Sequence, residues 1–457
     1  MEKFVFTEER AIRRMKFGKV RPDDPKGLKL IFKALSHRNY RLYFGGQGIS
    51  LIGTWMQQTA MSWLVYRLTN SAFLLGLAGF MGLIPTFLLA PFSGVVSDRF
   101  NRHRILLITQ TLAMTQAFVL AILDFTGIID IWHLFPLILF LGFVNAFDAP
   151  ARQAFVADMI EKKEDLSNAI ALNSFLFNGA RLVGPSIGGI LISFLGEGMC
   201  FFFNGLSFLA VIAALWLMNI RIKQRETRST RLWYVLKEGF AYAFGFAPIR
   251  SILLLLGLVS VMGMPYTVLM PIFARDILHG GPHTFGFLMA ASGVGAVMGA
   301  IFLASRKNVL GLGRIIAVGA SIFGASLIAF SLFRVFIISL PLMGLTGFGM
   351  MVLMASSNTV LQTIVEDDKR GRIMSFFTMS LMGMAPFGSL LAGSLAGTIG
   401  APNTIMIGGI SCILGSLLFA KQLPLLRKMV RPIYVKKGIL LEEPREAWPP
   451  DIHVDGA

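Results

Sequence analysis

Residues 180–196 read ARLVGPSIGGILISFLG, and residues 385–400 read APFGSLLAGSLAGTIG. A shift of 204 residues superposes Gly184 on Gly388, Gly189 on Gly393 and Gly196 on Gly400. Upstream, QAFVAD from Gln153 faces QTIVED from Gln362. Glycine is common in membrane helices, so a single match carries little; agreement in order and spacing indicates an internal repeat. The two stretches then belong to related halves of one chain.

Outward from this pair, charge is absent in long blocks and crowded between them. A helix crossing the hydrocarbon core needs about 20 predominantly apolar residues. Such blocks lie between Arg41 and Arg67, Arg67 and Asp98, Arg104 and Asp124, and from Asp130 to just past Asp148. Residues 166–196, broken only by Arg181, and the block from Glu197 to Arg221 complete the first half. The second half repeats the pattern between Arg250 and Arg275, Asp276 and Arg306, Arg314 and Arg334, and Arg334 and Glu366. Its last block, Arg372 to Lys421, holds two spans divided by the Gly-Ala-Pro-Asn turn at 400–403. Twelve spans follow. The fold class expected is an all-α membrane protein, two pseudo-symmetric six-helix bundles around a central cavity.

Of the 457 residues, 55% are hydrophobic and only 15% charged, against about 25% charged in soluble domains. The net charge of +17 is distributed as a topology signal. Even-numbered connections read DRFNRHR, DMIEKKED, RIKQRETRSTR, SRKNVLGLGR and VEDDKRGR; odd ones hold Arg67, Arg275 and Arg334, with DFTGIID and LGEGM free of Lys and Arg. Positive residues stay inside, which places both termini of a multi-pass membrane protein in the cytoplasm. No basic stripe is interleaved with stacking aromatics, so nucleic acid is not an expected partner. Cys200 and Cys412 both fall in apolar blocks and read as core residues. The first apolar block is too long for a cleavable signal and reads as an uncleaved anchor.

The expected organisation is a cytoplasmic segment at 1–40, a bundle at 41–220, a linker at 221–248, a second bundle at 249–421 and a tail at 422–457. Within the linker, RLWYVLKEGFAYAFG reads either as an interfacial amphipathic helix or as a plain tether. The tail beyond Val430 reads as loosely attached.

Three groups of residues carry chemistry. Gly94, Asp98, Arg99, Asn101, Arg102 and Arg104 crowd the second connection. Gly94 suits close helix contact, Asp98 can neutralise a helix N-terminus or an arginine, and Asn101 tolerates left-handed backbone. The arginines anchor the loop on the positive side. In span five, Gly179 and Arg181 precede Gly184, Pro185, Gly188 and Gly189. Ala180, Gly184 and Gly188 form a small-residue stripe for tight crossing, and Pro185 bends the helix. Third, charges deep in a membrane are costly and usually functional. Asn145, Asp148 and Arg152 share a face of span four, and Arg181 stands near the middle of span five with Asn178 one turn before it. A buried carboxylate beside a cation can exchange a proton as its surroundings alternate between wet and dry. Asp148 is therefore the candidate protonation site, with Arg181 or Arg152 as partner; a static stabilising ion pair is the competing reading. Gln57 and Gln58 are further cavity candidates.

Two of these stretches resemble motifs of the major facilitator superfamily. GVVSDRFNRHR is similar to its loop motif, with Asn101 in place of the second glycine. GARLVGPSIGG is similar to the fifth-helix motif of its exporters. With RNYRLYFGGQGISLIGTWMQQTAMSWLVYRLT and DAPARQAF added, residues from about 36 to 422 resemble the bacterial branch containing the enterobactin exporter and macrolide efflux proteins. The resemblance implies a latch at the second loop that breaks during transport, and proton-driven efflux of a small amphipathic molecule such as a siderophore or drug. The arginine that drug–proton antiporters carry early in span four is missing. A functional monomer in the lipid bilayer, with no cofactor and no resident metal, is expected.

Other classes find little support. Glu366-Asp367-Asp368 continues into Lys369-Arg370-Gly371-Arg372, a solvated charge cluster rather than a metal site. His279 and His283 sit in a Gly-Pro-interrupted connection without further ligands. No nucleotide-binding loop or nucleophile elbow is present, so an intramembrane enzyme is not expected. A lipid flippase and an uptake symporter remain as alternatives on the same fold.

Overall fold

A chain inside a bilayer must satisfy every backbone N–H and C=O within itself, and a helix does so within one segment. The computed structural model describes residues 33–219, 240–306, 308–366 and 369–440. They form α1 (Arg38–Thr69), α2 (Ala72–Arg99), α3 (Arg102–Phe125), α4 (Ile131–Asp158), α5 (Leu166–Leu195) and α6 (Glu197–Trp216). The second half holds α7 (Ala247–Ile277), α8 (Pro282–Ala304), α9 (Leu312–Leu332), α10 (Phe336–Ile364), α11 (Arg370–Ile399) and α12 (Ala401–Lys436). Eleven of the twelve are long and apolar enough to cross a membrane.

The exception, α1, has the length but spends several positions on polar groups held inside the first half. Gln57 Nε2 donates to Gln116 Oε1 of α3 at 2.9 Å, and Asn204 Nδ2 of α6 donates to Gln57 Oε1 at 2.7 Å. All three side chains are buried. Gln57 is thus a strut between three helices rather than a cavity residue, because a buried amide left unpaired costs more than a paired one contributes. Gln58, one residue on, is exposed.

The repeat is visible in the backbone. Gly196 joins α5 to α6 at φ 84°, and Gly400 joins α11 to α12 at φ 84°. That region strains any residue with a Cβ, so both turns require glycine. α7 and α11 depart from regular geometry: π turns occupy Val259–Gly263 and Phe273–Ile277 in α7 and Met379–Gly383 in α11.

Two peripheral segments are fastened rather than loose. A turn at Lys33–Ser36 precedes α1 and is held to the start of α5. Asp165 receives Lys33 Nζ at 2.8 Å and His37 Nε2 at 3.1 Å, while Ala34 N donates to Asn168 Oδ1 at 2.8 Å. At the other end, α12 continues past Val430 to Lys436, where the sequence predicts loose chain. Lys437 Nζ then donates to the Thr363 carbonyl at 2.7 Å, a cation at the C-terminus of α10. Most of the linker stretch, including RLWYVLKEG, lies outside the described residues; its last part packs on α11 through Phe240 and Phe376, ring centroids 6.2 Å apart.

Hydrogen bonds from Lys33 and then His37 hold the Asp165 carboxyl below the usual carboxylate range against the opposing effect of burial. A depressed value means the contribution is present above the ordinary carboxylate pKa and is lost as pH falls through the lowered one. Asp165→Asn should lower the melting temperature in detergent by about 2–4 °C at pH 7. The gap to wild type should hold down to about pH 5 and close below about pH 4. A gap that widens on acidification contradicts this assignment.

Candidate functional site

The two glycine stretches that define the repeat occupy equivalent seams. A Cβ on Gly184 would stand 2.5 Å from Trp55 Cβ and 2.9 Å from the Ile52 carbonyl, both on α1. On its equivalent, Gly388, a Cβ would meet the Val261 carbonyl of α7 at 2.7 Å. These are contacts within one half. Gly189 faces the other half, with Pro282 O at 2.6 Å and Gly286 Cα at 3.0 Å on α8. Gly393 does the same, with Gly76 Cα at 2.7 Å and the Ala72 carbonyl at 2.8 Å on α2. Each of α5 and α11 therefore packs on its own half through one glycine and on the opposite half through another.

These crossings lie toward the end that carries the odd-numbered connections, hereafter the odd-loop end. Polar contacts join the halves there too. Tyr66 of α1 donates its hydroxyl to Asp276 of α7, and Arg275 donates to Asn70 Oδ1 at 2.8 Å. Ser193 Oγ lies 3.3 Å from His283 Nδ1, and Trp63 stacks on Phe285 at 6.5 Å. His283 thus belongs to the first turn of α8 rather than to a loop. Sequence reading missed this set. Its signal was the adjacent Arg275 and Asp276 at a helix end, which looked like boundary charge. Farther in, Phe87 of α2 meets Phe387 of α11 with centroids 5.5 Å apart.

Asp148 is buried between α3 and α4. Its Oδ1 accepts from Thr109 Oγ1 and Gln110 Nε2, each at 2.8 Å, and Arg152 Nε stands 3.4 Å from its Oδ2. Pro150 lies between the paired residues on α4. The carboxylate's cation is Arg152, one turn along the same helix. Arg181 is elsewhere: its guanidinium lies 5.8 Å from the Trp55 ring centroid, and Trp55 meets Phe177 edge-on at 5.7 Å. Asn145 is exposed, and Asn178 bonds back to the Ser174 carbonyl at 2.8 Å. The structure therefore brings Asp148 and Arg152 together and sets Arg181 and Asn178 on α5 apart from them.

At the second connection, Arg102 ties three helices. Its Nε donates to the Ser97 carbonyl at 3.1 Å and its guanidinium reaches Asp158 Oδ2 at 3.0 Å. Asn101 is not left-handed: at φ −65° it caps α3, its Oδ1 accepting from His103 N at 3.0 Å. Capping an exposed helix start is what asparagine does best, which accounts for its place here. Gly94 makes no close approach, since a Cβ there would meet nothing within 4 Å, and the same holds for Gly179. Arg99 and Arg104 are exposed; the Asp98 side chain lies outside the described set.

The family described as transmembrane secretion effector matches residues 31–431. This chain belongs to that family. Among relatives of the secretion effector, the staphyloferrin A transporter of Staphylococcus aureus is 26% identical over 390 residues, 83% of this chain and 95% of the relative. Macrolide efflux protein A of Streptococcus pyogenes is 24% identical over 393 residues, 82% and 95% of the two chains. A bacterial homologue of ferroportin, solved in an inward-facing state, superposes with a TM-score of 0.65 at 16% identity, over 84% of this chain and 98% of that one. A bacterial homologue of the lysosomal transporter Spinster gives 0.62 at 15% identity, over 90% and 98%. At such identity these structures establish the fold, which is that of the major facilitator transporters. This secretion effector is accordingly a multi-pass efflux or secretion transporter and not an enzyme.

Proposed function

We propose that this transporter exports a small amphipathic molecule across a bacterial inner membrane in exchange for protons, by alternating access. The observation that carries the reading is the seam between the halves, whose polar contacts and glycine crossings among the described residues lie at the odd-loop end. Gly189 against α8, Gly393 against α2, and the Tyr66–Asp276 and Asn70–Arg275 bonds close the odd-loop end. The loop charges put that end outside and both termini in the cytoplasm. The state described is then inward-facing, ready to load from the cytoplasm, and the unit that moves is the single chain. Arg102, bonded to Ser97 and Asp158 within its own half, is positioned to re-form a latch across the halves when the inner side closes.

Asp148 is the proposed proton carrier. Its carboxylate takes two hydrogen bonds at one oxygen and faces the Arg152 cation at the other. Tilting α3 against α4 removes the Thr109 and Gln110 donors from that carboxylate. The competing reading, a permanent ion pair that stabilises the first half, draws on the same bonds.

The experiment is a comparison of cells lacking and overproducing the protein, by untargeted mass spectrometry of medium and cytoplasm, in iron-replete and iron-starved growth. A compound that accumulates inside the deletion strain and disappears from its medium supports export and names the cargo. A compound retained outside the deletion strain makes this an importer and overturns the proposal.

A further inference from the structure

Arg181 has a place in the fold that proton coupling does not use. Among the charged residues of α1–α11, Asp148, Arg152 and Arg181 are those standing more than one turn inside either helix end. The first two neutralise each other. Arg181 lies about 22 Å along α5 from its start, near mid-membrane. Among the described residues it makes no ion pair and no hydrogen bond; its guanidinium lies over the face of Trp55. It is only partly buried. A guanidinium in that position is expensive to keep without a partner, so the missing partner is expected to arrive with the ligand.

The direction in which it points follows from helical geometry. At roughly 100° per residue, Gly184 and Gly188 mark the side of α5 against α1, and Leu182 and Gly189 mark the side against α8. Val183, Ile187, Ile190 and Phe194 are exposed on the opposite, lipid-facing side. Arg181 and Asn178 fall in the sector between α1 and α8, which is the space between the two halves. The opposite wall does not repeat this chemistry: the 204-residue shift puts Ala385 where Arg181 stands and Met382, 62% exposed, where Asn178 stands. The central space is thus cationic and amide-bearing on one side, with an aromatic pair behind the cation, and apolar on the other.

We infer that Arg181, backed by Trp55 and Phe177, is the docking site for an anionic group of the cargo, so that the transported class is an amphipathic organic anion with a planar or aromatic body. The carboxylate or comparable oxyanion takes the guanidinium, Asn178 supplies a neutral polar contact, and the apolar body lies against the α11 wall. This assignment rests on the export reading and names the cargo's charge.

The test uses purified full-length protein and three probes that share one aromatic body: 1-pyrenebutyrate, 1-pyrenebutanol and 1-pyrenebutylammonium. Binding is read as energy transfer from tryptophan to pyrene. Wild type is expected to bind the butyrate at least about tenfold more tightly than the alcohol or the ammonium. Arg181→Gln should bring butyrate and butanol within about twofold of each other, while Arg181→Lys, which keeps the charge, retains part of the preference. Melting curves of both variants show whether they are folded, and the lysine variant carries the test if the glutamine one is not. Equal binding of the three probes by wild type, or a butyrate preference that survives in Arg181→Gln, overturns the assignment. The export reading is judged separately by the whole-cell comparison: an exported compound that is neutral or cationic sinks the anion site alone, and a butyrate preference without any exported compound sinks export alone.

Discussion

Gly393→Val is expected to transport at about a tenth to a hundredth of the wild-type rate while melting within a few degrees of wild type. A Cβ at this position meets Gly76 Cα at 2.7 Å and the Ala72 carbonyl at 2.8 Å. Those neighbours are backbone atoms of the opposite half, so no rotamer change relieves the clash. The halves must part at the odd-loop end. Overpacking of this kind costs about 1–3 kcal/mol, and every 1.4 kcal/mol shifts a two-state population about tenfold. The interior of each half is untouched, which is why stability should hold. Gly189→Val should act alike, through Pro282 O at 2.6 Å. Gly184→Val provides the contrast: its clash is with Trp55 and Ile52 of its own half, so that variant should lose stability and yield first. The conformational effect can be read without a known cargo. A cysteine introduced at Thr284, buried in the first turn of α8 beside this seam, should react faster with a membrane-impermeant maleimide in the Gly393→Val background; native Cys200 and Cys412 are buried and contribute little. Wild-type transport by Gly393→Val would show that the odd-loop end need not close as described.

Asp148→Asn should abolish dependence of export on a pH gradient, with uphill export falling more than about tenfold, while exchange of labelled for unlabelled cargo at equal pH continues. The substitution keeps an oxygen able to accept from Thr109 Oγ1 and Gln110 Nε2, so destabilisation should stay near about 1–2 kcal/mol. Arg152→Gln leaves the Asp148 carboxyl buried with two neutral donors and without its cation, and should destabilise more, by about 2–3 kcal/mol. If the pair is a permanent strut, Asp148→Asn loses stability and exchange together, and gradient-driven export falls only in that proportion. Uphill export at wild-type strength in a well-folded Asp148→Asn protein removes this residue from coupling altogether.

The sequence–structure relation differs between glycines and polar groups. Gly184, Gly189 and Gly196 were legible as a repeat with Gly388, Gly393 and Gly400, and each pair plays the same part in space. A glycine inside a membrane helix is retained where two backbones touch, so its spacing along the chain records a tertiary contact directly. Gly94 and Gly179 show the limit of that inference, since a Cβ at either would meet open space.

Polar residues carry no such record. Gln57 read as a cavity residue and proved to be a strut to Gln116 and Asn204. Asp148 had two possible cations in the sequence; helix packing chose Arg152 and left Arg181 on the face of Trp55. The bonds that close the odd-loop end, Tyr66 to Asp276 and Asn70 to Arg275, join residues more than two hundred positions apart that no local pattern pairs.

By itself, then, the sequence determined the number of long helices, the two-fold repeat and the side on which positive charge collects. Each depends on transfer from water to lipid, which acts on one segment at a time. The tertiary structure alone decided which charge meets which, at which end the halves touch and which guanidinium lies over an aromatic ring. Those depend on the rotation of each helix about its axis and on where neighbours cross, quantities that hydropathy does not contain.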